Sequence, residues 1–144
     1  MVSAGEPTVE GVKIDEMSDY LAGTEVLFAV LFGSQARGTA DESSDVDVAL
    51  RFPEEMAAHE RFRRRNRIDA HLQEYAESFV DVSEIDALPT SVAHVALGDG
   101  IVLAGDVQTV ESYRKRVTEE YEASADERER KHREFIDRLA RGET

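Results

Sequence analysis

The sequence contains no cysteine, which excludes disulfides and thiolate metal sites and fits a cytoplasmic protein. It has no run of eighteen apolar residues, so we expect no membrane span. The opening residues 1–13 are neither basic nor apolar, so we expect no signal peptide. The length of 144 residues is typical of a single domain with a core of its own.

Lysine is scarce, since three lysines and fourteen arginines stand against 31 acidic residues and the net charge is −14. This balance predicts a salt-adapted, halophilic prokaryotic protein, because high salt screens the repulsion between so many acids. An ordinary acidic protein is the alternative. In both cases the charge argues against direct binding to nucleic acid, which needs positive charge opposite phosphate.

The spacing of apolar residues predicts an α/β (α+β) fold, with a small mixed sheet flanked by helices. Strands are predicted over 25–32, 45–52 and 78–85, and a short strand or turn over 101–106. Helices are predicted over 12–22, 54–77 and 89–100, as one long helix from Thr109 to Arg141, and as a short first turn over 34–38. We expect a single domain over 1–144, with a core over about 12–106 and a C-terminal helical extension over 107–144.

Two carboxylates interrupt the apolar strand predicted over 45–52. Residues two apart in a strand project to the same face, so Asp45 and Asp47 share a face, about 6.6 Å apart along the chain. Two like charges at this distance repel, so a cation must neutralise them or one must hold its proton. Carboxylate oxygens suit Mg²⁺ or Mn²⁺. An exposed strand end with two solvated acids is the alternative.

The turn upstream of these carboxylates favours the metal hypothesis. Gly33 and Ser34 lie where a predicted buried strand meets a helix start. Glycine allows close approach of the backbone to a phosphate, and amides at a helix N-terminus point at an anion. A phosphate cradle beside a carboxylate pair has the outline of a nucleoside triphosphate site.

A third carboxylate, Asp81, lies within the strand predicted over 78–85. If this strand lies beside the Asp45/Asp47 strand, Asp81 can complete the metal cluster. Glu84 shares the parity of the core-facing valines and Asp86 lies beyond the strand, so both are weaker candidates. An edge or loop acid with no ligand role is the alternative for Asp81.

The stretch "FGSQARGTADESSDVDVAL" resembles the signature of polymerase-beta-type nucleotidyltransferases, and more narrowly that of the minimal nucleotidyltransferases, the MNT proteins. The likeness covers about residues 12–106 and includes Arg37-Gly38 after the Gly-Ser pair. MNT proteins are often encoded beside a HEPN-domain toxin and act as its antitoxin.

The resemblance implies roles for six residues. Gly33, Ser34 and Arg37 are expected to bind the nucleotide. Asp45, Asp47 and Asp81 are expected to be catalytic and to hold two Mg²⁺ ions. The implied reaction is displacement at the α-phosphate of ATP, which transfers AMP to a tyrosine hydroxyl of a HEPN toxin and silences it. The implied partners are the HEPN toxin, in a hetero-oligomer, and ATP.

Two other functions remain open. The protein could be an antitoxin that neutralises its partner by binding alone, or a nucleotidyltransferase for a small molecule such as an aminoglycoside. The basic cluster over 61–67 also has two interpretations, because its arginines could pair with neighbouring acids or contact nucleotide phosphates or an acidic partner.

Overall fold

A computed structural model of the protein describes residues 9–33 and 45–142. The strands are β1 (Phe28–Phe32), β2 (Val46–Arg51), β3 (Val80–Glu84) and β4 (Ile101–Gly105). The helices are α1 (Ile14–Ala22), α2 (Ala58–Leu72), α3 (Thr90–Asp99), α4 (Val107–Ala123) and α5 (Ala125–Ala140). Short 3₁₀ turns follow α2 and β3, at Gln73–Tyr75 and Ile85–Ala87.

The four strands form one mixed sheet in the order β3-β2-β1-β4. Strand β1 runs antiparallel to β2 and β4, whereas β2 and β3 are parallel. The end of β1 and the starts of β2 and β3 therefore lie together at one end of the sheet. We call this the Gly33 end, because Gly33 directly follows β1.

Helices cover both faces of the sheet, so both faces contribute to the core. On one face Val46, Val48 and Leu50 pack with the buried residues of α1 and α2. On the other face Ala49 packs with residues of β1, α3 and α4. This burial on two faces explains why β2 contains so many apolar residues. The arrangement confirms the predicted fold class, whereas the division at residue 107 stays a prediction.

Most elements begin or end within three residues of the predicted bounds, and two helices differ more. The helix predicted over 54–77 begins at Ala58, because Pro53 accepts a hydrogen bond from the Met56 N–H in a preceding turn, and it ends at Leu72, where a 3₁₀ turn takes over. The long C-terminal helix bends at Ser124, where α4 ends and α5 begins. The Ser124 hydroxyl donates to the Tyr121 carbonyl at 3.0 Å, and such a bond competes with the helical backbone and bends helices.

Helix α5 has no buried residue, and its three large apolar side chains, Phe135, Ile136 and Leu139, are about half exposed. Its charged residues form ion pairs four residues apart, such as Lys131 with Glu127 at 3.3 Å, and these support an exposed helix. In the described ranges, no helix combines the length and the apolar character needed to cross a membrane.

Helix α5 should therefore contribute little to stability. A chain that ends at Ser124 should keep its free energy of unfolding within about 0.5 kcal/mol of the full chain, because no buried contact is lost. Leu97→Ala, which empties a buried position of α3, should cost about 2–5 kcal/mol. Urea unfolding of both variants measures the difference. A large loss of stability on truncation would show that α5 packs against the core.

Candidate functional site

The Gly33 end of the sheet brings together the carboxylates that the sequence singled out. Asp47 and Asp81 are the second residues of β2 and β3, and they are direct partners in the parallel ladder. Neighbouring strands lie about 4.8 Å apart, so the two backbones place these side chains next to each other. Both project to the sheet face opposite Val46 and Val48, which enter the core.

Asp45 precedes β2 and is exposed. Burial raises the pKa of the Asp47 carboxyl, and the negative charges of Asp81 and Asp45 raise that pKa further. All three carboxylates therefore interact electrostatically. Within the described parts of the chain, no cation or hydrogen-bond donor offsets this repulsion at Asp47.

Gly33 approaches the Asp47 carboxylate so closely that no side chain fits between them. A Cβ atom at position 33 would lie 2.6 Å from Asp47 Oδ2, and the φ angle of Gly33 is +85°. Glycine adopts positive φ without steric cost, whereas other residues do not. The sequence pattern singled out Gly33 for its closeness to a phosphate; the structure adds its closeness to a carboxylate.

The carboxylate oxygens are the donor type that Mg²⁺ prefers, and their mutual repulsion is the kind that a divalent cation relieves. Across residues 9–33 and 45–142, no group of three or more acidic or histidine side chains stands ready to hold a metal ion as it is placed. The fit of a metal therefore rests on the strand register and the donor chemistry. The roles of these residues stay predictions.

The other sequence candidates have different outcomes. Ser34 and Arg37, and the short helical turn predicted over 34–38, lie outside the described residues. Glu84 forms an ion pair with Arg61 at 3.1 Å. Asp86 pairs with Arg51, so both alternatives to Asp81 already have cationic partners.

Arg51 lies away from the three carboxylates. It is the last residue of β2, about 13 Å along the strand from Asp47. Its guanidinium lies 3.3 Å from Glu54 and 3.4 Å from Asp86, and it stacks over the Tyr113 ring. A cavity of about 430 Å³ opens beside it, so this cavity lies at the opposite end of β2 from the candidate site.

The arginine cluster over 61–67 is largely engaged within the protein. Arg63 and Arg64 pair with Glu60, Arg64 also pairs with Glu25, and Arg61 pairs with Glu84. These pairs agree with the interpretation that the arginines of the cluster pair with neighbouring acids. Gln73, the polar residue that follows α2, carries no signal in the sequence, because a bond from a side chain to another element's backbone leaves no periodic pattern.

The family profile of polymerase beta nucleotidyltransferases matches residues 15–108, which is more than half of the chain and includes the whole sheet. The chain belongs to the polymerase beta nucleotidyltransferase family. Gly33 and the three carboxylates lie within the matched family segment. No curated protein matches the chain in sequence.

Solved structures share the nucleotidyltransferase fold of this chain. A chain of a toxin-antitoxin structure with AMP-PNP has a TM-score of 0.66 and 19% identity, with 85% of this chain and 98% of that chain covered. A chain of the Shewanella oneidensis complex between a tri-AMPylated HEPN toxin and an MNT antitoxin has a TM-score of 0.61, 16% identity and coverage of 85% and 98%. A chain of an MntA-HepT toxin-antitoxin structure has a TM-score of 0.59 and 18% identity, with 86% of this chain and 94% of that chain covered. At these identities the likeness establishes the fold.

The close approach of Gly33 to Asp47 generates a stability prediction. Gly33→Ala should lower the free energy of unfolding by at least about 1–2 kcal/mol, because alanine at positive φ is strained and its Cβ meets the carboxylate. Gly98→Ala is the matched control, since its Cβ enters open space on α3 and should stabilise by up to about 1 kcal/mol. Urea unfolding compares the two, and equal effects would contradict the structure at Gly33.

The raised pKa of Asp47 generates a second prediction, about pH. The folded protein binds this proton more tightly than the unfolded chain, so stability falls as pH rises from the ordinary value of 3.8 through the raised value. At pH 7 without divalent cations, Asp47→Asn should therefore stabilise the protein, by at most about 1 kcal/mol because solvent screens a partly exposed carboxylate.

The difference in stability between Asp47→Asn and wild type should vanish well below pH 3.8, where the wild-type carboxyl is also neutral. Glu119→Gln, the same neutralisation at an exposed position in the middle of α4, is the control and should change little at either pH. Thermal unfolding at both pH values measures all three proteins. Destabilisation by Asp47→Asn at pH 7 would contradict the repulsive cluster.

Proposed function

We propose that this protein transfers AMP from ATP to a hydroxyl of a HEPN-domain toxin, in a Mg²⁺-dependent reaction, and thereby acts as its antitoxin. The observation that carries the proposal is the in-register pairing of Asp47 with Asp81 beside Gly33. Membership of the polymerase beta nucleotidyltransferase family supports the reaction class.

The choice of partner is supported by the structural neighbours. Several come from toxin-antitoxin complexes, one of them with AMP-PNP and another with a tri-AMPylated HEPN toxin. We infer a partner of the same class for this chain, in a hetero-oligomer, and a tyrosine as the acceptor, as the resemblance to MNT proteins implies.

Asp45, Asp47 and Asp81 are the residues that would hold the metal ions. Two Mg²⁺ ions, when bound, stabilise the entering and leaving oxygens of an in-line displacement. Asp47 would be the central ligand of the three, because burial and the charges of both Asp81 and Asp45 raise the pKa of its carboxyl. Asp81 is exposed at the edge strand, where an acceptor hydroxyl can approach and lose its proton.

Gly33, Ser34 and Arg37 are the residues that would hold the triphosphate. The missing side chain of Gly33 leaves its backbone open beside the carboxylates. In the proposed reaction the acceptor oxygen forms a bond to the α-phosphorus while the bond from the α-phosphorus to the β-phosphate oxygen breaks. Pyrophosphate leaves, and the hydroxyl proton departs to solvent.

The test uses α-labelled ATP, Mg²⁺ and the product of the neighbouring gene, which the proposal expects to be a HEPN-domain protein. Wild type should label the partner, and Asp45→Asn/Asp47→Asn should lower the labelling rate by at least about 10³-fold, because the metal ligands are lost. Asp15→Asn/Asp19→Asn, the same chemical change on exposed positions of α1, should keep the wild-type rate. No label with wild type would contradict the proposal.

The same variants separate the alternative modes of action. If Asp45→Asn/Asp47→Asn still neutralises the toxin in cells as well as wild type does, the protein works by binding alone. If wild type modifies an aminoglycoside and leaves the HEPN protein unlabelled, the acceptor is a small molecule.

A further inference from the structure

Strand β3, which carries Asp81, is an edge strand of the sheet that residues 9–33 and 45–142 form, because β2 is its one partner there. The backbone groups of alternate residues therefore point away from the sheet and need other partners. On the inner side, the Phe79 carbonyl accepts from the Val46 N–H at 2.8 Å. On the outer side, Val80 and Val82 present their backbone groups toward α2 and the turn that follows it.

Gln73 satisfies both outward groups of Val80. Its Nε2 donates to the Val80 carbonyl at 2.7 Å, and its Oε1 accepts from the Val80 N–H at 2.9 Å. The side-chain amide thus pairs with Val80 as the backbone of a neighbouring strand would. The strand is therefore bonded on its inner side at Phe79 and on its outer side at Val80, and Asp81 follows directly.

Asp69 sets the orientation of the Gln73 amide. Gln73 Nε2 also donates to Asp69 Oδ1 at 2.6 Å and lies 3.1 Å from the Asp69 carbonyl. A carboxylate only accepts, so the nitrogen must face Asp69 and the oxygen must face the Val80 N–H. The amide is therefore fixed in the one orientation that serves Val80.

Two arginines of α2 continue this contact along β3. Arg65 donates to the Val82 carbonyl at 3.4 Å, and Arg61 pairs with Glu84 at 3.1 Å. Four residues of a helix rise about 6.0 Å and two residues of a strand about 6.6 Å, so the two spacings match. Two members of the arginine cluster thus contact the outer edge of β3, one at its backbone and one at its last side chain.

We propose that Gln73 is a positioning residue for Asp81 in the metal site. A slip of one residue in β3 would turn Asp81 to the other face of the sheet, away from Asp47. By bonding both backbone groups of Val80, Gln73 opposes that slip at the residue next to Asp81. This inference rests on the proposed function, since it takes Asp81 as a metal ligand.

The experiment measures binding of Mn²⁺ alone, by electron paramagnetic resonance, together with urea unfolding. Gln73→Met keeps the size of the side chain and removes both bonds to Val80. It should weaken Mn²⁺ binding about tenfold, the lower end of the usual effect of residues that orient ligands. Gln108→Met, an exposed glutamine of α4, is the matched control and should bind Mn²⁺ as wild type does.

Arg65→Met separates positioning from simple loss of edge contacts. It removes one long bond at Val82, so it should lower the urea midpoint while changing Mn²⁺ affinity less than Gln73→Met does. A Gln73→Met protein that is less stable but binds Mn²⁺ with wild-type affinity would overturn the inference and leave the proposed function intact. Absence of Mn²⁺ binding by wild type would contradict both.

Amide hydrogen exchange in the wild type tests the contact without any variant, in case Gln73→Met does not fold. The Val80 amide should exchange slowly, although it points away from the sheet, because Gln73 Oε1 accepts its hydrogen. Exchange of the Val80 amide as fast as that of an open edge would overturn the inference.

Discussion

The parallel pairing of β2 with β3 puts two like charges side by side, and the rest of the structure must hold them there. The same ladder pairs Val46 with Val80 and Val48 with Val82, and all four valines are buried. Each buried valine contributes about 1.5–3 kcal/mol, whereas two charges a few ångströms apart in water repel by about 1 kcal/mol. Burial on the core face therefore outweighs repulsion on the other face.

An apolar core cannot satisfy the outward backbone groups of an edge strand, and here polar residues of α2 and of the turn after it bond to both groups of Val80 and to the carbonyl of Val82. Gln73 and Arg65 bond to the backbone of β3, and Arg61 pairs with its last side chain. The strongly charged character of α2 thus has a structural use at the strand that carries Asp81. The salt adaptation suggested by the net charge of −14 stays a prediction.

Much of the fold was predictable because each central element buries a regular set of positions. The alternation over 45–52 and 78–85 marked two strands and the face of each carboxylate, and β2 and β3 lie within these ranges. The bend at Ser124 was not predictable, because it depends on one hydroxyl that competes with the helical backbone. The position of Arg51 also followed from tertiary contacts, since its acidic partner Asp86 lies in a distant turn.

The pattern of residues along the chain specifies which residue types could form the site: a glycine where a strand ends, and carboxylates at alternate positions of two apolar strands. It does so because side-chain parity is a local property of a strand. The packing of all the elements places β3 beside β2, puts Asp81 in register with Asp47 and pairs Gln73 with Val80. Strand order and register depend on the burial free energy of all elements together, which no local pattern contains.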